Sequence, residues 1–74
     1  MKQLDLHGIR HGDVRQKVIR FIEDLWGENV RVEIITGNSL EMKNIVKQVL
    51  DEYDLEYNDG RFLGVDVPLI TTIL

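Results

Sequence analysis

The chain has no cysteine, which excludes disulfides and thiolate metal sites and leaves the redox compartment unread. It has one proline, no Gly- or Ser-rich tract and no internal repeat, so no linker divides it. No apolar run approaches the ~18–20 residues that span a bilayer. The first residues, Met1-Lys2-Gln3-Leu4-Asp5, lack the apolar stretch of a signal peptide, so the expectation is a cytoplasmic protein with no membrane association. Length excludes a second domain of ordinary size: 74 residues, 43% apolar and 30% charged, describe one small domain over 1–74. A chain this short sits near the lower limit for a self-supporting core.

The net charge of −4 argues weakly against nonspecific nucleic-acid binding, because phosphate contacts supply most of that affinity. The average conceals an asymmetry. Residues 1–20 carry five basic and two acidic side chains, whereas residues 51–74 carry six acidic side chains against Arg61 alone. A phosphate-facing surface would therefore come from the first half, or from the start of the second helix with Lys43 and Lys47.

Hydrophobic periodicity supplies the elements. Residues 3–7 alternate as a strand, with Leu4 and Leu6 inward and Asp5 and His7 side by side on the other face; Gly8 opens a turn. From Gly12 to Trp26, Val14, Val18, Ile19, Phe21, Ile22, Leu25 and Trp26 form one helical stripe. Asp13 with Gln16 is a candidate capping box, and Gly27 is placed as a C-terminal cap. Trp26 reads as a cap on the core. Residues 30–35 read as a second strand. Thr36-Gly37-Asn38-Ser39 turns into a second helix over 40–53, with Asn38 and Glu41 as another capping box and Leu40, Ile45, Val46, Val49, Leu50 and Tyr53 as its apolar side. Residues 55–57 allow a short third strand. Asn58-Asp59-Gly60 starts a loop extending towards Asp66, and residues 68–74 form a β-prone last strand. The order β-α-β-α-β-β, with two amphipathic helices, predicts an α/β two-layer sandwich: a four-stranded mixed sheet with both helices on one face.

Two segments lie where a parallel strand hands over to a helix, the edge that ligands favour in open α/β sheets. In Asp5-Leu6-His7-Gly8, a carboxylate and an imidazole two residues apart can orient one another and transfer protons near neutral pH; a surface Asp and His flanking a turn use the same residues. In Thr36-Gly37-Asn38-Ser39, a helix N-terminus and a permissive glycine suit a phosphate, and ordinary N-capping by Asn38 or Ser39 explains the same residue types. It is not a P-loop, for it lacks the Gly-Lys-Ser/Thr ending. His7 and His11 are separated by a turn and lack a third ligand, which disfavours a metal pair. Asp51, Glu52 and Asp54 crowd the end of the second helix against its dipole and read first as a solvated face and second as a contact for a basic partner.

Leu4-Asp5-Leu6-His7-Gly8 resembles the Leu-Asp-Leu-His-Gly signature of the Smr (small MutS-related) domain. Ile35-Thr36-Gly37-Asn38 is similar to that family's second motif, a His/Thr-Gly-x-Gly turn after strand two. Here Ser39 stands where the family has its second glycine, and the glycine-rich run before the last strand is reduced to Gly60 and Gly64. The resemblance spans essentially the whole chain. It implies a nucleic-acid-binding domain related in fold to the C-terminal domain of bacterial translation initiation factor three. It further implies endonuclease activity on RNA or DNA, in some members on messenger RNA at stalled ribosomes. Carried over by position, Asp5 and His7 are the candidates for cleavage and Thr36-Gly37 the backbone-binding turn.

The expected mechanism has His7 moving a proton at the attacking or leaving oxygen. Asp5 either orients the imidazole or coordinates a loosely held magnesium ion, and the N–H groups around Gly37, Asn38 and Ser39 hold a phosphate beside Gly8, Arg10 and Lys43. No metal is strictly required on RNA, where the ribose 2′-hydroxyl is an internal nucleophile. The rival expectation is a noncatalytic module that docks on RNA, a ribosome or another protein. A third is an oligomerisation domain whose last strand pairs with a copy of itself.

Overall fold

The computed structural model describes residues 2–62 and 65–74. In chain order the elements are β1 (Lys2–Asp5), α1 (His11–Leu25), β2 (Arg31–Ile35), α2 (Leu40–Glu52), β3 (Tyr57–Asn58), β4 (Arg61–Phe62), β5 (Val65–Asp66) and β6 (Leu69–Ile73). Four strands form a mixed sheet in the order β1-β2-β6-β3. β1 runs parallel to β2, and β6 runs antiparallel to both β2 and β3. Both helices pack on one face, as the two amphipathic stripes require. The expected loop after β3 contains a further ladder, β4 with β5. Gly64, retained from the expected glycine-rich run, lies outside the described residues.

Alternation along β2 sets the two faces. Val32 and Ile34 are buried towards the helices, while Arg31 is exposed and Glu33 half-buried on the other side. The core joins them to Leu6, Val14, Val18, Ile22, Val46, Val49, Leu50 and Ile70, all fully buried. Each such side chain contributes roughly 1.5–3 kcal/mol relative to exposure.

Several local expectations are corrected. β1 ends at Asp5, so His7 belongs to the following turn and not to the strand. α1 begins at His11 with Arg10 as N-cap and no side-chain cap, so the Asp13–Gln16 capping box does not form; Asp13 lies in the first turn. α2 is capped by Ser39, whose Oγ accepts the Met42 N–H at 3.2 Å, and not by Asn38. Leu40 is 69% exposed, and the buried positions at that end of α2 are Met42 and Lys43. Trp26 lies beyond α1 and is exposed. The last strand sits inside the sheet between β2 and β3, with β3 pairing Thr71 and Thr72 on the side away from β2.

Candidate functional site

Register brings the two motifs together. β1 and β2 are paired so that Leu4 lies opposite Ile34 and Asp5 opposite Ile35. The ladder extends one step further, the Leu6 N–H donating to the Ile35 carbonyl at 2.9 Å. Both strands therefore end at the same level, and the turns that follow are neighbours. β6 begins at this edge too, with Leu69 opposite Ile35.

The first turn is closed by the Ile9 N–H on the Leu6 carbonyl at 3.0 Å, with Gly8 third in the turn at φ +82. A side chain at Gly8 would be strained there. Asp5 Oδ1 accepts the His7 backbone N–H at 2.9 Å. The carboxylate thus holds the His7 main chain, a different task from the expected orientation of the imidazole. Asp5, His7, Gly8 and Arg10 are all exposed. The imidazole lies against the second turn, with His7 Cδ2 3.9 Å from the position a Cβ would take on Gly37. Gly37 itself has φ +68. The sequence placed these residues on two separate segments, and parallel pairing makes them one patch.

The second turn is less available to a ligand than its residue types suggest. The N–H groups of Thr36 and Gly37 both donate to the Pro68 carbonyl, at 2.9 and 3.1 Å. Thr36 is 2% exposed, and its hydroxyl donates to the Gly37 carbonyl at 2.9 Å. Ser39 is occupied in capping. Asn38 is exposed at the tip.

Lys43 is corrected from a phosphate-facing cation to an internal strut. It is 6% exposed; its Nζ donates to the Val67 carbonyl at 3.1 Å and lies 3.8 Å from Asp59 Oδ1. Lys47 Nζ meets Asp59 Oδ2 at 2.5 Å. The expectation that both lysines would rim the turn, with the acidic residues 51–59 elsewhere, fails at Asp59, which pairs with both. The same ammonium of Lys43 pins Val67 beside Pro68, whose carbonyl braces the Gly37 turn.

One feature of this edge is absent from the sequence reading. The first turn of α1 leaves N–H groups without a side-chain acceptor, adjacent to the exposed Arg10. Its signal is negative: Ile9 and Arg10 occupy the positions where Ser, Thr, Asp or Asn would cap a helix. His11 Nδ1 approaches Glu41 Oε2 at 3.2 Å, linking the starts of the two helices. Among the described residues no group of three or more His, Cys, Asp or Glu could hold a metal ion. Asp5 Oδ1 accepts a backbone bond, which leaves Oδ2 as the oxygen that could meet a loosely held magnesium ion.

This edge presents an exposed imidazole, an exposed guanidinium and the start of α1, over a glycine that keeps the surface low. No family model, curated protein or solved structure matches the chain. Among the described residues no helix is long and apolar enough to cross a membrane.

Proposed function

We infer that the chain is an Smr-like nucleic-acid-binding domain of the cytoplasm, contacting RNA in preference to DNA at the edge where β1 and β2 end, with His7 as the proton-transfer group of an endonuclease. The observation that carries this reading is the His7 ring against Gly37, which unites the Asp-Leu-His-Gly and Thr-Gly-Asn segments in one exposed patch. A side chain at residue 37 would stand between the imidazole and an approaching backbone.

On RNA, His7 accepts the 2′-hydroxyl proton as the 2′-oxygen attacks the adjoining phosphorus. The P–O5′ bond breaks, and the leaving oxygen takes a proton from solvent. Arg10 and the first-turn N–H groups of α1 face the phosphate charge. Asp5 holds the His7 main chain so that the imidazole stays over Gly37.

The second reading is a noncatalytic module docking on RNA, a ribosome or a protein. It is favoured by the pairing of Lys43 and Lys47 with Asp59, and by the use of the Gly37 N–H on Pro68. Few cations remain for phosphates, so the salt dependence of binding should be shallow, about −0.7 in log–log slope per contact on single-stranded RNA.

Affinity and single-turnover cleavage of labelled single-stranded RNA, measured in parallel, test both. His7→Ala should lower cleavage by about 10²-fold or more with little change in affinity, and Gly37→Val should weaken both together. A wild-type protein that binds RNA but cleaves no faster than His7→Ala leaves the docking module. A protein that binds no RNA removes both nucleic-acid readings.

A further inference from the structure

The helices start near His7 and Gly37 and run away from them, α1 over about 22 Å at 1.5 Å per residue. At their far ends the chemistry is different. α1 stops at Leu25, and the chain turns through Trp26 (φ −57, ψ 128) and Gly27 (φ +82), closed by the Glu28 N–H on the Leu25 carbonyl at 3.1 Å. Gly27 in turn donates its N–H to the Leu74 carbonyl at 3.1 Å, which fixes the turn to the sheet. This backbone holds the indole outside the core. Trp26 is 56% exposed, and its ring leans on Tyr53, the C-cap of α2, at a centroid distance of 5.7 Å and an interplanar angle of 52°.

An aromatic pair on the surface forgoes the burial that makes large rings stabilising. Its surroundings are predominantly acidic. Asp24 and Glu28 flank Trp26 and Asp54 follows Tyr53, all three exposed, while Arg15, the cation that interacts with Tyr53, is paired with Glu52. Neither helix has a basic residue in its last turn, where one would favour the dipole. Phosphate is repelled by such a surface, and an uncharged apolar partner would leave the carboxylates desolvated.

We propose that the Trp26–Tyr53 pair is a docking surface for an arginine-rich polypeptide segment. A guanidinium lies over the indole face, and neighbouring cations meet Asp24, Glu28 and Asp54. Arginine suits both parts of the surface, because it stacks on indole and pairs with carboxylates in a planar fork. Tryptophan and tyrosine are also the residues that anchor protein interfaces. The proposal is independent of the nucleic-acid reading, which concerns the opposite ends of the helices.

The test is fluorescence anisotropy of a dye-labelled octa-arginine peptide titrated with the full chain at low ionic strength, after circular dichroism has established that each variant is folded. Wild-type protein should bind saturably. Trp26→Ala should weaken binding by about tenfold or more, and Asp24→Asn/Asp54→Asn, which keeps both rings, by about threefold or more. Asp13→Asn/Glu41→Gln removes as much charge at the other end of the helices and should change binding less than about twofold. Equal weakening by the two double variants would mean bulk electrostatics and overturn the proposal, as would a Trp26→Ala protein that binds like wild type. Sedimentation of the protein alone supplies a further arm: a dimer dispersed by Trp26→Ala would show that a second copy takes this surface.

Discussion

The two ends of the helical layer are built from the same parts and arrive at opposite characters. At the end where the helices start, two strand-to-helix turns and the Val67–Pro68 segment converge. Nearly every polar group there has a partner: Thr36 and Gly37 on Pro68, Lys43 on Val67 and Asp59, and Ser39 on Met42. His7, Asp5, Arg10 and Asn38 remain exposed there, around two left-handed glycines. At the end where the helices stop, the backbone is satisfied equally well, by Glu28 on Leu25 and Gly27 on Leu74, but the side chains are not drawn in. An indole stays on the surface among carboxylates. The difference teaches where long-range ties act. A tie such as Lys43 to Val67, 24 residues apart, consumes charge that composition had assigned to a ligand. At the far end the backbone tie of Gly27 to Leu74 leaves Asp24, Trp26 and Glu28 in solvent.

Breaking the ties at the first end should have the largest effects. A Cβ on Gly60 would lie 2.5 Å from the Leu69 carbonyl oxygen and 2.6 Å from a Val67 methyl, at φ +65. Gly60→Ala should therefore cost about 2–4 kcal/mol by chemical denaturation, because neither backbone nor conformation can yield cheaply. An unchanged midpoint would mean that the Val67–Pro68 brace is not rigid.

Lys43 offers a sharper probe of the same brace. Lys43→Ala removes a buried stem together with its ammonium and should cost about 2–3 kcal/mol, whereas Lys43→Met, which keeps the volume, should cost about 1 kcal/mol or less. Equal losses in the two variants would make charge the dominant contribution at this position. Ser39→Ala removes the cap of α2 and should cost about 1 kcal/mol. Emission from Trp26, the only tryptophan, should be the same in folded Ser39→Ala as in wild type, since the cap and the indole lie at opposite ends. A spectral shift would show that the ends are coupled.

The smallest effect belongs to the exposed pair of Arg15 with Glu52, which ties α1 to the last turn of α2. The Arg15 hydrogen bond holds the Glu52 carboxyl below its usual range. A carboxyl depressed in the folded state adds stability above its unfolded pKa and loses it as pH falls through the folded value. Glu52→Gln should thus lower stability at neutral pH, by little because solvent screens the pair, and leave acid pH unchanged, which flattens the acid side of the profile. A drop at acid pH that exceeds the change at neutral pH would contradict that assignment.

Much of this was legible in the residues, and the failures share a cause. The stripes Val14-Val18-Ile22 and Val46-Val49-Leu50, the alternation of Val32 and Ile34, and the glycines at 8, 27 and 37 are local signals and mark the observed elements. Cap identity failed at α1, because nothing caps it, and at α2, because Asn38 and Ser39 are adjacent candidates separated only by the angle of chain entry. Trp26 failed because periodicity carries a stripe one residue past the point where the backbone leaves the helix.

By itself the sequence determined the kinds of element, the faces they bury and the placement of Asp5, His7 and Gly37 at strand ends, since each depends on a few residues within one window. Only the tertiary structure decided that His7 rests on Gly37, that Pro68 takes the N–H groups of Thr36 and Gly37, and that Asp59 pairs with Lys43 and Lys47. Those outcomes depend on strand order and register, which bring together groups remote in the chain, and burial then obliges each of them to find a partner.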